Sequence, residues 1–125
     1  MRILGRIGPV AAAAIMAAAV TAAPATAQST ASCYASAGHL YCGNAANAPI
    51  YAAPSYTGPG GNPTRVVDHL LTTQSYFKCY VYGAPHGGGN SVWYYTYGDV
   101  THAWGYVAAV NVYTSTDPFP GVSRC

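Results

Sequence analysis

Along most of this chain, apolar and aromatic side chains either alternate with polar ones or run in short blocks between turn residues, and the repeat is that of a strand. The plainest case is Val92 to Val107, VWYYTYGDVTHAWGYV, where Gly98-Asp99 separates two runs of aromatic and branched residues. That pattern predicts a β-hairpin. In its first strand Val92, Tyr94 and Thr96 share one face, and Trp93, Tyr95 and Tyr97 share the other. Both faces carry rings, and such a hairpin is stable in water only when one of them covers a core. The second face is then left to solvent or to a ligand.

The same reading extends to the rest of the chain. Cys33 to Cys42 predicts two extended pieces turning near Gly38, and Ala48–Tyr51 a short strand with Ile50 inward and Tyr51 outward. Residues 52–64 hold Pro54, Pro59, Pro63 and three glycines, a composition of irregular loop, and long loops in small domains are often functional. Val66-Val67 favours a strand over Arg65–Leu71. Tyr76–Tyr82 alternates, with Phe77, Cys79 and Val81 on one face and Tyr76, Lys78, Tyr80 and Tyr82 on the other. Gly83–Asn90 predicts a surface loop, Ala108-Ala109 a tight helical turn, and Asn111–Tyr113 a last strand. Asp117-Pro118-Phe119-Pro120-Gly121 is excluded from helix and central strand and must cross the surface until Cys125 is tied down.

Residues 1–27 are set apart by composition. Arg2 and Arg6 precede an apolar run from Ile7 to Val20 that is too short to span a bilayer, and Ala25-Thr26-Ala27 is a cleavage-type sequence. We expect a secretory signal peptide ending at Ala27, a product outside the cytoplasm or associated with the cell wall, and no membrane insertion after cleavage. The formal charge of +2 comes from the leader. Beyond it, Arg65, Lys78 and Arg124 balance Asp68, Asp99 and Asp117. Three scattered cations do not make the cluster that a phosphate backbone requires, so nucleic acid is not an expected partner.

All four cysteines, Cys33, Cys42, Cys79 and Cys125, follow the leader. An even count in a small exported domain argues for two disulfides. Three connectivities exist, and spacing favours Cys33–Cys42 as a local clip and Cys79–Cys125 as a staple on the chain end. A metal site built from these cysteines with His39, His69, His86 and His102 lacks any C-x-x-C or H-x-x-x-H spacing. No cofactor is expected.

The order of motifs Asn47-Ala48-Pro49-Ile50-Tyr51-Ala52-Ala53-Pro54-Ser55, Arg65-Val66-Val67-Asp68-His69-Leu70, Trp93-Tyr94-Tyr95-Thr96 and Trp104-Gly105-Tyr106-Val107-Ala108-Ala109 resembles the bacterial Src-homology-3-like (SH3-like) domain. The likeness covers residues 47–113. Tyr106 stands where that family usually has Trp, and Gly58–Pro63 lengthens the first loop. The resemblance implies an all-β, disulfide-stapled, small SH3-like barrel of about five to six short strands, a count that the turn spacing also supports. Residues 28–46 would form a disulfide-clipped segment, 47–114 the barrel, and 115–125 a Pro-rich tail tied by a disulfide. Family members commonly bind cell-wall peptides or other extended chains.

No catalytic arrangement stands out. The chain has no Glu; Asp99 and Asp117 sit in ordinary turn contexts, and Asp68 and His69 point to opposite faces of a strand. No serine lies in a G-x-S-x-G context. What the chain has in excess is rings, with twelve Tyr, two Trp and two Phe. So small an interior cannot enclose them all with every hydroxyl paired, so some face outward. Tyr51, Tyr56, Trp93, Tyr95, Trp104 and Tyr106 are the candidate ligand-binding set, although either Trp taken singly is better explained by a core position. The expectation is a non-enzymatic module recognising cell-wall peptide or glycan through an aromatic groove. A secreted inhibitor of an extracellular hydrolase, or a surface protein that self-associates, are the other classes that the composition allows.

Overall fold

The computed structural model describes residues 32–125. The leader read over residues 1–27 lies outside them. The chain runs through eight strands: β1 (Tyr34–Ser36), β2 (His39–Gly43), β3 (Ala48–Tyr51), β4 (Val66–Leu70), β5 (Gln74–Phe77), β6 (Cys79–Tyr82), β7 (Val92–Tyr97) and β8 (Trp104–Ala108). They form a three-stranded sheet in the order β1-β2-β5 and a five-stranded sheet in the order β4-β3-β8-β7-β6, antiparallel throughout. The described residues contain no α-helix, only 3-10 turns at Pro59–Gly61 and Ala109–Asn111. Both disulfides take the pairing that spacing favoured, Cys33–Cys42 and Cys79–Cys125.

The all-β reading holds, but the strands number eight, and the two sheets do not close into a barrel. One of the additional strands arises at Lys78. The expected single strand Tyr76–Tyr82 is two strands, β5 in the small sheet and β6 in the large one, and the chain changes sheets between them. Lys78 N–H still donates to Tyr95 O at 2.7 Å, so the bend stays fastened to β7. The bend also shifts the alternation. Phe77 pairs with Leu40 and is buried in the core, whereas in β6 it is Tyr80 that pairs with Tyr94 and packs on that core. Cys79 and Val81 pair with Tyr95 and Trp93 on the opposite face, so Phe77, Cys79 and Val81 do not share a side as expected.

Between the sheets lie Leu40, Ile50, Leu70, Phe77, Val92, Tyr94, Val107 and Val112. In β7 the period of two holds: Val92, Tyr94 and Thr96 are buried, Tyr94 meets Phe77 at 5.9 Å between ring centroids, and Thr96 Oγ1 donates to Tyr76 O at 2.6 Å. The hairpin of β1 and β2 turns through Ala37 and Gly38, both at positive φ (53° and 85°), the geometry that a two-residue turn needs to match strand twist. The last strand expected at Asn111–Tyr113 is reduced to an isolated bridge between Asn44 and Val112, after the 3-10 turn.

The β6 edge of the large sheet is covered by backbone pairing, and the β4 edge is met in part by the turn between β7 and β8, through Asp99 N–H to His69 O and Thr101 Oγ1 to Val67 O. On β6, Tyr80 N–H donates to Ser123 O at 3.1 Å and Cys125 N–H to Tyr80 O at 2.9 Å, so the stapled tail lies along the strand. On β4, the turn between β7 and β8 is held by Asp68. Its carboxylate accepts from the N–H groups of His69 (2.7 Å), Val100 (3.1 Å), Thr101 (2.9 Å) and Ala103 (3.1 Å), and from Thr101 Oγ1 (2.8 Å). Gly98 is required here because a Cβ would collide with the Asp68 carboxylate.

Candidate aromatic binding face

The residues of β7 that point away from the core are Trp93, Tyr95 and Tyr97, and the register sets them opposite Ala108, Tyr106 and Trp104 of β8. Tyr51 of β3 pairs with Tyr106 from the other side. Cross-strand partners share a face. Five of the six candidate residues therefore lie on the outer face of the large sheet. The sixth, Tyr56, reaches it from the 52–64 loop, with its ring 5.4 Å from Tyr51 and 5.2 Å from Trp93.

The set divides into two parts that differ in access. At one end, Trp93 has no exposed surface. Its ring is met edge-on by Tyr51 at 5.9 Å and by His86 at 5.8 Å, and its Nε1–H donates to Ala84 O at 2.9 Å. Two loops close over it, and they approach so nearly that a Cβ on Gly83 would strike Pro54 and the indole. Trp93 is thus a floor that positions Tyr51 and Tyr56, and it offers nothing for a ligand to touch. Burial, and next the neighbouring Tyr51 hydroxyl, push the Tyr56 hydroxyl above its ordinary pKa, so it stays a donor across the neutral range.

At the other end, the rings form an open row. Tyr106 lies 5.0 Å from Tyr95, Tyr95 is stacked on Trp104 at 5.2 Å with planes 25° apart, and Trp104 is 5.2 Å from Tyr97. Trp104 and Tyr97 keep 44% and 42% of their surface exposed. Lys78 Nζ sits 5.6 Å from the Trp104 ring centroid, within range of a cation–π attraction. The sequence reading had placed Tyr97 on this face but not in the binding set; its register opposite Trp104 adds it.

A second row was not foreseen. On the three-stranded sheet Tyr34, Tyr41 and Tyr76 are direct cross-strand neighbours, with centroids 5.0 Å and then 5.4 Å apart, and His39 lies 5.3 Å from Tyr76. A depression of about 150 Å³ is lined by one ring of each row, Tyr76 and Tyr97, together with Thr72, Gln74, Ser75 and Asp99.

The three carboxylates of the described residues all act as ties between segments. Asp68 is buried, which by itself raises its pKa. The hydrogen bonds from His69, Thr101 and Ala103 outweigh that and hold it well below the usual carboxylate range. Asp99 Oδ2 accepts from Leu71 N–H at 2.8 Å and Thr72 N–H at 3.3 Å. Asp117 accepts from Tyr94, Thr114 and Asn90. Among the described residues no group of three or more His, Cys, Asp or Glu side chains is placed to hold a metal ion.

No protein-family model, curated protein or solved structure matches this chain.

Proposed function

We propose that this chain is a secreted, non-catalytic module of SH3-like kind that binds cell-wall peptide or glycan through the outer face of its five-stranded sheet. The observation that carries this reading is the open row Tyr106–Tyr95–Trp104–Tyr97. Two exposed rings, Trp104 and Tyr97, beside two half-buried ones, Tyr95 and Tyr106, supply apolar contact on a sheet at low entropic cost, and their hydroxyls and indole N–H supply hydrogen bonds. Recognition along the row by stacking and hydrogen bonding, and not by a charged patch, fits a chain whose cations and carboxylates balance after residue 27.

The SH3-like component is supported by the antiparallel run of β6, β7 and β8, followed by a 3-10 turn where the resemblance expects a short turn. Export is supported by the two disulfides, which persist in oxidising compartments, and by the leader pattern of residues 1–27. Among the described residues no helix is long and apolar enough to cross a membrane. Co-sedimentation of the purified protein with isolated peptidoglycan tests the proposal. Retention that persists as salt is raised supports stacking and hydrogen bonding; loss of all retention in low and high salt alike removes the wall as the partner.

A further inference from the structure

In the depression lined by Tyr76 and Tyr97 the hydroxyls of Thr72, Ser75 and Thr96 are already engaged, and one carboxylate oxygen is not. Ser75 Oγ donates to Asn44 Oδ1 at 2.7 Å, Thr96 Oγ1 to Tyr76 O at 2.6 Å, and Gln74 Nε2 to Ser32 O at 2.9 Å. Thr72 Oγ1 has Ser75 Oγ at 3.2 Å, Gln74 O at 3.3 Å and Asp99 Oδ2 at 3.4 Å as acceptors of its proton. The Ser75, Thr96 and Thr72 hydroxyl protons and one Gln74 N–H are thus engaged within the protein. Asp99 differs: its Oδ2 takes the bonds from Leu71 and Thr72, while its Oδ1 accepts nothing among the described residues. None of the residues lining the depression is Lys, Arg or His.

We infer that this depression receives a primary ammonium group, with Asp99 Oδ1 as its charged acceptor and the rings of Tyr76 and Tyr97 as its walls. An N–H donor group with a positive charge matches a lining that holds one carboxylate with an open oxygen, two aromatic rings and no cation, and a charge-assisted bond is the stronger kind. An anion would meet a carboxylate and no cationic side chain in the lining. The space of about 150 Å³ admits the end of an amine-bearing chain or one amino-sugar ring. The inference rests on the binding reading above and adds to it. A ligand lying along the row would end at Tyr97, where its amine, from a lysine-like side chain or an amino sugar, drops into the depression.

Amide chemical shifts of the ¹⁵N-labelled protein, titrated at neutral pH with four probes, test this directly. Nα-acetyl-lysine amide and glucosamine carry free amines; Nα,Nε-diacetyl-lysine amide and N-acetylglucosamine have them blocked. At least one free amine should move the Thr72, Ser75, Tyr97 and Asp99 signals, with an affinity about tenfold above that of its blocked form, the order of one charge-assisted hydrogen bond. Which of the two binds tells whether peptide or sugar is the source. Asp99→Asn should remove that preference, and the comparison of free with blocked probes needs no variant at all. Equal response to free and blocked forms, or no response at these residues, overturns the inference. If peptidoglycan retains the protein while the amines leave these signals unmoved, wall binding stands and the ammonium site falls. If amines bind there and peptidoglycan retains nothing, the wall reading falls and the ammonium site stands.

Discussion

The Tyr94 hydroxyl donates a 2.8 Å hydrogen bond to Asp117 Oδ1 and accepts one of 3.0 Å from Phe119 N–H. A fully buried core ring on β7 is in this way the anchor of the C-terminal tail, helped by Thr114 Oγ1 and Asn90 Nδ2, which also donate to Asp117. Burial, then the Asp117 carboxylate, raises the Tyr94 pKa and keeps the hydroxyl protonated. Tyr94→Phe keeps the ring and removes both bonds. We expect a loss of about 1–3 kcal/mol, the cost of leaving such partners unpaired, seen as a lower midpoint in thermal unfolding followed by circular dichroism.

Asp68 makes stability depend on acid. Its folded pKa lies below the ordinary value of 3.8, so its contribution is complete above that value and fades as pH falls below it. Asp68→Ala leaves the N–H groups of Val100, Thr101 and Ala103 without their acceptor. The expected cost is roughly 3 kcal/mol at pH 6, from several unpaired donors that solvent partly relieves. The gap in midpoint between wild type and variant should be constant from neutrality to the weakly acid range, and narrow below pH 3.8.

The two disulfides should contribute unequally. Cys79–Cys125 spans 46 positions and Cys33–Cys42 spans 9. Chain-entropy reasoning gives about 4 kcal/mol for the first and about 3 kcal/mol for the second. Urea unfolding of the two Cys-to-Ala double variants should rank them in that order. The Cys79/Cys125 variant should also lose protection from hydrogen exchange at Tyr80, whose backbone the tail covers.

The two tryptophans report opposite environments. Trp93 is sealed and Trp104 is open, so acrylamide should quench one component of the emission readily and the other poorly. Trp104→Phe should abolish the accessible component and leave a blue-shifted spectrum. Gly83→Ala pushes against Pro54 and the Trp93 ring, and should lift the two loops enough to make the sealed component quenchable.

Much of this was legible in the sequence where physics is local. The alternation in Val92–Tyr97 gave the correct faces of β7, and Ile50 inward with Tyr51 outward held for β3. Elsewhere the deciding contacts were distant. Nothing near Lys78 marks a change of sheet, because neither Gly nor Pro stands there, and so the alternation was carried through a bend that shifts it. Trp93 shares a face with Tyr95, yet two remote loops bury it, and the only local trace is the small residue at Gly83. The Tyr34–Tyr41–Tyr76 row depends on the register of three strands that the sequence does not specify. Asp99 and Asp117 were read as turn residues, whereas their side chains reach Leu71 and Tyr94 across the fold.

Recognition by the outer row is tested most directly by comparing peptidoglycan retention of wild type with Trp104→Ala, Tyr106→Ala and Tyr113→Ala proteins of equal thermal stability. Tyr113 is 48% exposed but belongs to neither row, and so controls for ring loss in general. Truncating a central aromatic contact typically costs about 2 kcal/mol, near thirtyfold in affinity. Retention should therefore fall by that order for Trp104→Ala and Tyr106→Ala, and stay at the wild-type level for Tyr113→Ala. Equal retention by all four proteins contradicts the outer row as the binding surface.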